Sequence, residues 1–242
     1  MLARDGKLSI VGAAQRLGVN PMTIRRDLEV LESSGVVVRC YGGAMAAHRI
    51  SFEFKFNTHQ REHFQEKENI ATVAVERIAP GQVVMLDAGT TTLEIAKCLA
   101  RKGVPCTVIT SSLAVASRLW GCQQIQLMLV GGRVRLGNPD LVGPATEANL
   151  EQFTADIAFL GSDGIDPARG FFAVDVEPAR VAEKMAACAR QVIMVADSSK
   201  FGAAAAFRCV APQDADELIT DSAADPAAIQ RLRQEGVTVT LV

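Results

Sequence analysis

The chain lacks the features that mark membrane-spanning, exported or disordered proteins. It contains no uninterrupted apolar run of the roughly 18 residues that a bilayer-spanning helix requires, and its N-terminal sequence MLARDGKLSI has no apolar signal-peptide core. Apolar residues make up 49% of the 242 residues and charged residues 21%, which excludes an acidic disordered polymer. We therefore expect a folded protein located in the cytoplasm.

Cysteine and histidine patterns typical of metal sites are also scarce. The six cysteines are scattered without a CxxC pair, so the sequence predicts neither a zinc cluster nor a disulfide framework. One segment, His59-Gln60-Arg61-Glu62-His63, formally matches the inverted zinc-peptidase pattern HxxEH. Because it lies in a charged stretch, we interpret it as a solvated helix. We expect no metal and no cofactor.

Charge is unevenly distributed along the chain. The net charge is −2, but residues 1–50 carry +3 and the remaining residues carry −5. A small basic head on an acidic body indicates that the head alone approaches a polyanion, although an excess of three charges is modest. The length suits one large domain with a small one attached.

The head has the pattern of two short helices followed by a hairpin. Residues 12–17 predict a helix that ends at Gly18, and Asn20 and Pro21 are a good cap and first residue for a second helix. That helix ends near residue 33, and the β-branched run 36–41 before Gly42-Gly43 predicts a strand and a turn. This order is typical of a winged helix-turn-helix.

The second helix of the head can read DNA. Its apolar residues recur at spacings of four and three, which turns Arg25 and Arg26 toward solvent, where arginine can contact guanine edges or phosphates. Two solvated arginines on an ordinary amphipathic helix are the alternative, and the flanking cap and wing favour DNA reading. The candidate DNA-binding residues are Asn20, Met22, Thr23, Arg25, Arg26, Arg39 and Tyr41.

The rest of the chain predicts a linker and a mainly parallel α/β body. Residues 51–79 form the linker, with Phe52, Phe54 and Phe56 and then a helix from about Asn57 to Ile78. Within residues 80–242, apolar runs alternate with amphipathic segments such as 92–102 and 177–189, which favours a parallel sheet covered on both faces. The runs are Val83–Leu86, Thr107–Thr110, Ile125–Val130, Ile157–Leu160, Val192–Ala196, Leu218–Thr220 and Val237–Val242.

Small polar clusters follow several of these runs. The carboxyl ends of parallel strands share one edge of the sheet, and a glycine at a helix start suits a phosphate, so we expect one anion-binding crevice. Structural caps and a solvated lysine are the alternatives for individual residues, as are solvent-facing side chains for Arg133 and Arg135. The candidate effector-binding residues here are Asp87, Gly89, Thr90, Thr91, Thr92, Thr110, Ser111, Ser112, Gly161, Asp163, Gly164 and Lys200.

Sequence blocks along the whole chain carry a family resemblance. The head contains Thr23-Ile24-Arg25-Arg26-Asp27-Leu28 and Arg39-Cys40-Tyr41-Gly42-Gly43-Ala44. The body contains, in order, blocks at 87–92, 141–144, 161–166, 197–202 and 219–221. Together they resemble the DeoR family of bacterial transcriptional regulators. The resemblance implies a sugar-phosphate effector, with Glu177 added to its candidate contacts, and a body similar to pentose-phosphate isomerases and CoA-transferases.

The sequence departs from this family pattern in three places. Asparagine at position 20 replaces the more frequent serine cap at little cost. Ala182 stands where the resemblance implies a lysine, with Lys184 nearby, and only residues 1–4 could represent the end of a first helix. We therefore expect a weakly packed head that binds DNA poorly. The residues left exposed would be Ile10, Leu17, Ile24 and Leu28.

These observations favour a transcriptional regulator over an enzyme. We expect a repressor of a sugar-utilisation operon that leaves double-stranded operator DNA when a phosphorylated sugar binds, acting as a homo-oligomer because half-sites are read by paired heads. The alternative is a sugar-phosphate isomerase with an accessory domain, for which Glu183 could be a remnant base. No lysine closely follows Asp166, which weakens that alternative.

Overall fold

The computed structural model of this protein describes residues 7–33, 37–40, 42–46, 60–135 and 138–242. The chain divides into two compact units, residues 1–58 and residues 59–242. Tyr41, His59 and the phenylalanines at 52, 54 and 56 lie outside the described residues. Among the helices that are described, none is long and apolar enough to cross a membrane.

The described part of the N-terminal unit contains two helices and a small antiparallel sheet, as the sequence predicts. Its helices are α1 (Ile10–Leu17) and α2 (Pro21–Ser33). Its strands are β1 (Lys7–Ser9), β2 (Val37–Cys40) and β3 (Gly43–Ala46), in the order β1-β3-β2. The helix-turn-helix and wing are therefore confirmed.

The turn between the two helices is built by the residues that the sequence indicates. Gly18 ends α1 with φ 65°, the left-handed region that glycine tolerates best, and its N–H donates to the carbonyl of Ala14. The N–H of Met22 donates to Asn20 Oδ1 at 2.8 Å, which caps α2, and Pro21 occupies the first helical position. These two caps fix where each helix ends and begins.

The wing differs from the prediction at Gly43. We expected Gly42-Gly43 to end the strand, but Gly43 lies within β3, opposite Ser9 and Cys40. A Cβ at this position would overlap the carbonyl oxygen of Leu8, so glycine lets β1 approach β3 closely. The unexpected strand β1 provides this contact.

The N-terminal unit has its own apolar core, so the expected exposure of Ile10, Ile24 and Leu28 is wrong. All three are buried, together with the small side chains of Ala13, Ala14 and Ala44 and with Val37. The alanines let the helices and the wing approach closely enough to enclose the larger residues. Leu17 is 60% exposed, as expected. Poor DNA binding by this head stays a prediction.

The C-terminal unit is built on a seven-stranded parallel sheet, which confirms the predicted architecture. Its strand order is β15-β14-β12-β9-β4-β5-β6. All seven apolar runs become its strands, with ends shifted by up to three residues. They are β4 (Val83–Leu86), β5 (Cys106–Thr110), β6 (Ile125–Leu129), β9 (Ala155–Leu160), β12 (Ala189–Val195), β14 (Glu217–Thr220) and β15 (Thr238–Leu241).

Among the residues that the structure describes, six helices and five short strands complete this unit. A core of strand residues such as Met85, Leu160 and Met194 packs with Met185 and Leu232 from the helices. The helices are α3 (Phe64–Glu76), α4 (Thr90–Lys102), α5 (Leu113–Leu119), α6 (Pro144–Leu150), α7 (Val176–Ala187) and α8 (Pro226–Gln234). Two small antiparallel sheets contain β7 (Arg133–Val134) with β8 (Leu141–Val142), and β10 (Gly164–Asp166), β11 (Gly170–Ala173) and β13 (Phe207–Val210).

The predicted linker helix is shorter than expected. We expected a helix from about Asn57 to Ile78, but α3 begins at Phe64 and is separated by a turn at residues 62–63 from helical residues 60–61. His63 adopts φ 51°, an uncommon backbone conformation for a residue with a side chain. This left-handed residue breaks the helix just before α3.

The order of the strands defines a switch point in the sheet. From β4 the chain adds β5 and β6 on one side, and then β9, β12, β14 and β15 on the other. In open parallel sheets, ligands bind at the carboxyl ends of the strands where the order reverses. The ends of β4 and β9 are therefore the first place to look for a ligand.

A partly buried ion pair joins the end of α3 to strand β14 of this sheet. Arg77 follows α3 and donates to both carboxylate oxygens of Glu217 on β14, at 2.8 and 3.1 Å. Thr240 on β15 donates to the same carboxylate at 2.6 Å. The hydrogen bond from Arg77 lowers the pKa of Glu217, which is largely buried. Losing the guanidinium would leave a buried carboxylate with too few donors.

We predict that Arg77→Met lowers the free energy of unfolding by about 2 kcal/mol at neutral pH. This value is below that of a fully buried ion pair, because the guanidinium is partly exposed. The lowered pKa of Glu217 makes this contribution present at neutral pH and lost as pH falls below about 4.5. Urea unfolding at several pH values should therefore show the two proteins converging in acid. Arg190→Met is the control, because Arg190 is 76% exposed and 3.8 Å from Asp156; equal losses in both variants would contradict the assignment.

Candidate functional site

The exposed face of α2 carries the candidate DNA-reading side chains. Ile24 and Leu28 face the core of the N-terminal unit. Met22, Thr23, Arg25 and Arg26 are all exposed. Met22 and Arg26 lie four residues apart on the side opposite the core, and Arg25 lies at the edge of that side. The N-terminal half of α2 therefore exposes two arginines, while Asp27, Glu29 and Glu32 give the whole helix a net charge of −1.

The two wing candidates are in different situations. Arg39 on β2 donates to Glu29 of α2 at 3.4 Å and lies 4.0 Å from Glu32. Its guanidinium joins the wing to the helix, and its charge is partly offset before any DNA is bound. Tyr41 lies outside the described residues.

Asp87 lies at the switch point of the sheet. Its carboxylate follows β4 and accepts N–H groups from Ala88 at 2.7 Å and from Gly161, which follows β9, at 3.2 Å. Burial, the largest cause, and the nearby carboxylates of Asp140 and Asp163 together raise the pKa of Asp87 to about 6, although these two hydrogen bonds lower it. The structure thus brings Asp87 and Gly161 into direct contact.

Three of the candidate hydroxyl groups form hydrogen bonds within the site. Thr92 Oγ1 donates to the carbonyls of Asp87 and Gly89 and accepts the N–H of Gly89 at 2.9 Å. Thr110 Oγ1 donates to the carbonyl of Leu86 at 2.7 Å, and Ser112 Oγ caps α5 at the N–H of Val115. We interpret these hydrogen bonds as structural, and the assignment of the three residues to the effector stays a prediction.

Other polar groups at this edge have no such structural task. Gly89 begins α4 in an extended conformation, and the first N–H groups of a helix have no acceptor within it. Thr90 is half-buried and Thr91 is buried in this first turn. Ser111, which follows β5, is buried, and its Oγ has no hydrogen-bond partner among the described residues. These groups are suited to an anion with additional hydroxyl groups.

Two arginines, Arg133 and Arg135, form ion pairs with nearby carboxylates. Arg135 donates to Asp140 at 2.8 and 3.1 Å and to Asp175 at 2.7 Å. Arg133 forms an ion pair with Glu177 near the start of α7. The sequence analysis leaves open whether Arg133 and Arg135 only face solvent. In the structure, both arginines form ion pairs. Glu177 is therefore already paired before a ligand arrives.

The segment after β9 contains two candidate residues in different environments. Asp163 is exposed, and its carboxylate accepts the N–H of Val174 at 2.9 Å. Gly164 is buried in β10, where a Cβ would lie 2.6 Å from the carbonyl oxygen of Ala203. We therefore interpret Gly164 as a packing residue, and its assignment to the effector stays a prediction. Ala182, at the position where the sequence analysis expected a lysine, is buried, and the nearby Lys184 forms an ion pair with Glu151.

The loop after β12 contributes Asp197 and Lys200. Asp197 is fully buried, and its Oδ1 accepts the N–H of Ser199 at 3.1 Å and also the hydroxyl of Ser199. Its Oδ2 has no hydrogen-bond partner among the described residues. Lys200 ends the short 3-10 turn that begins at Ser198, and it is half-buried. A buried carboxylate oxygen without a donor is costly, so a donor from a ligand would be favourable here.

Sequence reasoning missed Lys67, a buried lysine whose pKa is affected by two charged residues of this loop. Lys67 is 3% exposed on α3, and its Nζ donates to the carbonyl of Glu62 at 2.6 Å. Burial lowers the pKa of Lys67, the carboxylate of Asp197 raises it and the cation of Lys200 lowers it. The signal was available, because Lys67 precedes Ile70, Ala71 and Ala74 at helical spacing and therefore lies on the apolar face.

The described residues contain no group of three or more histidine, cysteine, aspartate or glutamate side chains that could hold a metal ion. His59, the first histidine of the HxxEH segment, lies outside them.

Two family models match the chain. The DeoR-like helix-turn-helix domain matches residues 1–49, and the DeoR C-terminal sensor domain matches residues 62–222. The second match alone covers more than half of the chain.

Individual proteins are also similar over the full length. A protein of Escherichia coli O157:H7, named as a candidate transcriptional repressor of the aga operon, is 33% identical over 100% of this chain and 90% of its own. The transcriptional regulator GlpR of Haloferax volcanii is 34% identical over 97% of this chain and 91% of its own. Among solved structures, ribose 5-phosphate isomerase A of Methanocaldococcus jannaschii is 17% identical with a TM-score of 0.42, covering 58% of this chain and 55% of that one.

The raised pKa of Asp87 predicts how stability depends on pH. The folded protein binds this proton more tightly than the unfolded chain, so stability is highest below pH 3.8 for this group and is lost as pH rises through about 6. Asparagine at position 87 cannot ionise, so the Asp87→Asn variant does not lose this stability as pH rises. Relative to wild type, the variant should gain on the order of 2 kcal/mol in free energy of unfolding between pH 4 and pH 7. Urea unfolding across this range measures the difference, and a constant difference would contradict the prediction.

Proposed function

Because this chain belongs to the DeoR family of transcriptional regulators, we propose that it represses a sugar-utilisation operon and leaves its operator when a phosphorylated sugar binds the C-terminal unit. The observation that carries this proposal is the combination of two sites in one chain. The second helix of a helix-turn-helix exposes Arg25 and Arg26, and a helix N-terminus lies at the switch point of a parallel sheet. At the same edge of that sheet, buried oxygen atoms of Ser111 and Asp197 have no hydrogen-bond partner among the described residues.

The exposed face of α2 supports direct reading of DNA. Arg25 and Arg26 can each donate two hydrogen bonds to a guanine edge or one to a phosphate, and Met22 and Thr23 offer apolar contacts to a thymine methyl. Asn20 caps the helix whose positive end favours a phosphate. Arg39 contributes less, because Glu29 already offsets its charge.

The chemistry of the sheet edge supports a phosphorylated sugar as effector. The N–H groups at the start of α4 with Thr90 and Thr91 suit a phosphate, and Lys200 supplies a cation. Asp197 Oδ2 and Ser111 Oγ suit the hydroxyl groups of a sugar, since both are buried and lack partners among the described residues. An anion without hydroxyl groups would leave these two atoms unsatisfied.

A regulator of this kind works as a homo-oligomer. One head presents a single short helix to DNA, and paired heads on two half-sites bury the larger surface that operator specificity requires. We propose at least a dimer.

The chemistry favours sensing over catalysis. An isomerase needs a positioned acid or base and a lysine near the reacting carbon. Asp166 Oδ1 instead accepts the N–H groups of Ala168 and Arg169, and Glu183 is exposed. We therefore propose that the C-terminal unit binds its sugar phosphate without converting it.

The effector prediction is tested with glycerol 3-phosphate, ribose 5-phosphate, fructose 6-phosphate and glucose 6-phosphate, each beside its unphosphorylated parent. At least one phosphorylated compound should raise the melting temperature and release promoter DNA in a gel-shift assay, while its parent does neither. Lys200→Met should reduce the thermal shift and leave DNA binding intact. Lys102→Met, at the opposite end of α4, is the matched control. Turnover of any compound, or shifts with the parent sugars alone, would refute the proposal.

The DNA prediction compares two arginines in different units. Arg26→Ala should weaken operator binding by about 1 to 3 kcal/mol if the guanidinium contacts a base. Arg118→Ala removes an equal charge from an exposed position on α5 and should leave operator binding unchanged. Gel-shift titration at moderate salt measures both. Wild-type affinity in Arg26→Ala and Arg25→Ala alike would remove α2 as the reading helix.

A further inference from the structure

The two edge strands of the seven-stranded sheet are β6 and β15. The outer side of an edge strand carries backbone N–H and C=O groups that have no neighbouring strand to pair with. Proteins normally protect such groups with charged side chains, bulges or a covering element, because an open edge pairs readily with a strand of another chain. Whether each edge of this sheet is protected therefore indicates where another chain can pair.

The edge at β15 is protected by a charged side chain. The N–H of Thr238 donates to the carbonyl of Asp216 at 3.0 Å, so the backbone of the next residue, Val239, is directed away from β14. Arg233 of α8 donates to this outward carbonyl of Val239 at 3.0 Å. A cation held against the outer side of β15 opposes pairing with a further strand.

The edge at β6 has no such protection among the described residues. The N–H of Val130 donates to the carbonyl of Thr110 at 3.0 Å, so the alternation along a strand turns the backbone of Leu127 and Leu129 away from β5. No charged residue occurs within residues 119–132, although 21% of the whole chain is charged. The outward N–H and C=O groups of both leucines are therefore open to another strand.

Apolar side chains adjoin this open backbone on one face of the sheet. Met128 packs against the core that the sheet shares with α6, α7 and α8, so the two-residue period of a strand places Leu127 and Leu129 on the opposite face. That face is the one covered by α5, whose buried residues are not part of this core. Leu129 is 44% exposed, and Trp120, which follows α5, is 84% exposed. Together with the outward backbone of β6, the side chains of Trp120, Leu127 and Leu129 form what we call the β6 edge.

Two β6 edges complement each other when they pair antiparallel about a twofold axis perpendicular to the sheet. Leu127 of each copy then lies opposite Leu129 of the other, and the two residues exchange their N–H and C=O groups. The axis keeps the apolar side chains of both copies on the same face. Because the strands run in opposite directions, Trp120, which precedes β6, lies beside the carboxyl end of the other strand. The absence of charge means that pairing brings no like charges together.

The apolar area of this contact is of the order that a dimer needs. A stable interface buries roughly 1,600 Å² in total, and an aromatic side chain buries about 150 to 250 Å². The two tryptophans of a symmetric pair would therefore supply about a quarter of such an interface. The leucine side chains and the paired backbone add to it.

Resting on the proposed function, which requires paired heads, we propose that two copies of this chain associate through their β6 edges. The strand β6 of one copy pairs antiparallel with β6 of the other, and the two seven-stranded sheets continue into one another. Trp120 packs against Leu129 of the second copy. The protected β15 strands then form the two outer edges of the joined sheet, so this contact closes at two copies.

The wild-type chain carries its own probe of this contact, because Trp120 is its single tryptophan. In the dimer, Trp120 fluorescence should be shifted to shorter wavelength and weakly quenched by acrylamide. Dilution that dissociates the dimer in analytical ultracentrifugation should reverse both effects. A dimer in which acrylamide quenches Trp120 as strongly as free tryptophan would overturn the proposal. A shielded Trp120 in a chain that is monomeric at every concentration would overturn it too, because the chain itself would then cover the edge.

Two leucines on the opposite edge strands give a matched pair of variants. Leu129→Lys places a charge within the contact and should give a folded monomer with an exposed Trp120. Leu241→Lys makes the same change on β15, where Leu241 is 48% exposed, and should stay dimeric. Equal dissociation in both variants would contradict the assignment.

Amide exchange measured by NMR tests the strand pairing directly. The N–H of Leu127 should be protected in the wild-type dimer and should exchange at least about tenfold faster in Leu129→Lys. Fast exchange of this amide in a dimeric wild-type chain would overturn the pairing of β6 strands. This wild-type measurement decides the question even if Leu129→Lys does not fold.

Gel-shift titration of the same proteins separates this proposal from the proposed function. Leu129→Lys should bind promoter DNA more weakly than Leu241→Lys, because its heads are no longer paired. A dimer that persists in Leu129→Lys would place the contact elsewhere and leave the proposed regulator intact. A wild-type dimer with a shielded Trp120 that binds neither promoter DNA nor a sugar phosphate would instead overturn the proposed function and leave the dimer contact standing.

Discussion

The reversal of strand order between β4 and β9 is the constraint on which the C-terminal unit depends. The N–H of Gly161 donates to Asp87 at 3.2 Å across the ends of these two strands. Because a parallel sheet places all carboxyl ends at one edge, its topology also brings the starts of α4 and α5 and the loop after β12 to that edge. Residues far apart in sequence therefore meet around a carboxyl group that is itself expensive to ionise.

The sequence carries the large features of the fold because long periodic patterns are hard to mistake. Seven apolar runs gave seven parallel strands, and Gly18 and Asn20 gave the caps of the head helices. The strands β1, β7, β8 and β10 were not predicted, because runs of two or three residues show no period. The buried head core was missed for another reason. Alanines on three elements enclose it, and their proximity depends on tertiary packing.

For the candidate site, the sequence indicates the strand ends but not the task of each hydroxyl group. Ser111 and Ser112 are neighbours in sequence at the end of β5, as Thr91 and Thr92 are after β4. Thr92 and Ser112 form hydrogen bonds with the backbone, whereas Ser111 Oγ has no hydrogen-bond partner among the described residues. Which hydroxyl turns inward depends on helix position and loop geometry. Lys67 was overlooked because charged neighbours outweighed its apolar register, and only the packing of α3 against the sheet shows that it is buried.

The pKa of the buried Asp87 carboxyl group also has a consequence for the charge at the switch point of the sheet. Because this pKa is about 6, the carboxyl group exchanges its proton with solvent near neutral pH, and the charge at the ends of β4 and β9 depends on pH. An anion placed beside Asp87 would favour the protonated form, so its binding would take up protons from solution. The affinity of this edge of the sheet for an anion would therefore fall as pH rises above about 6.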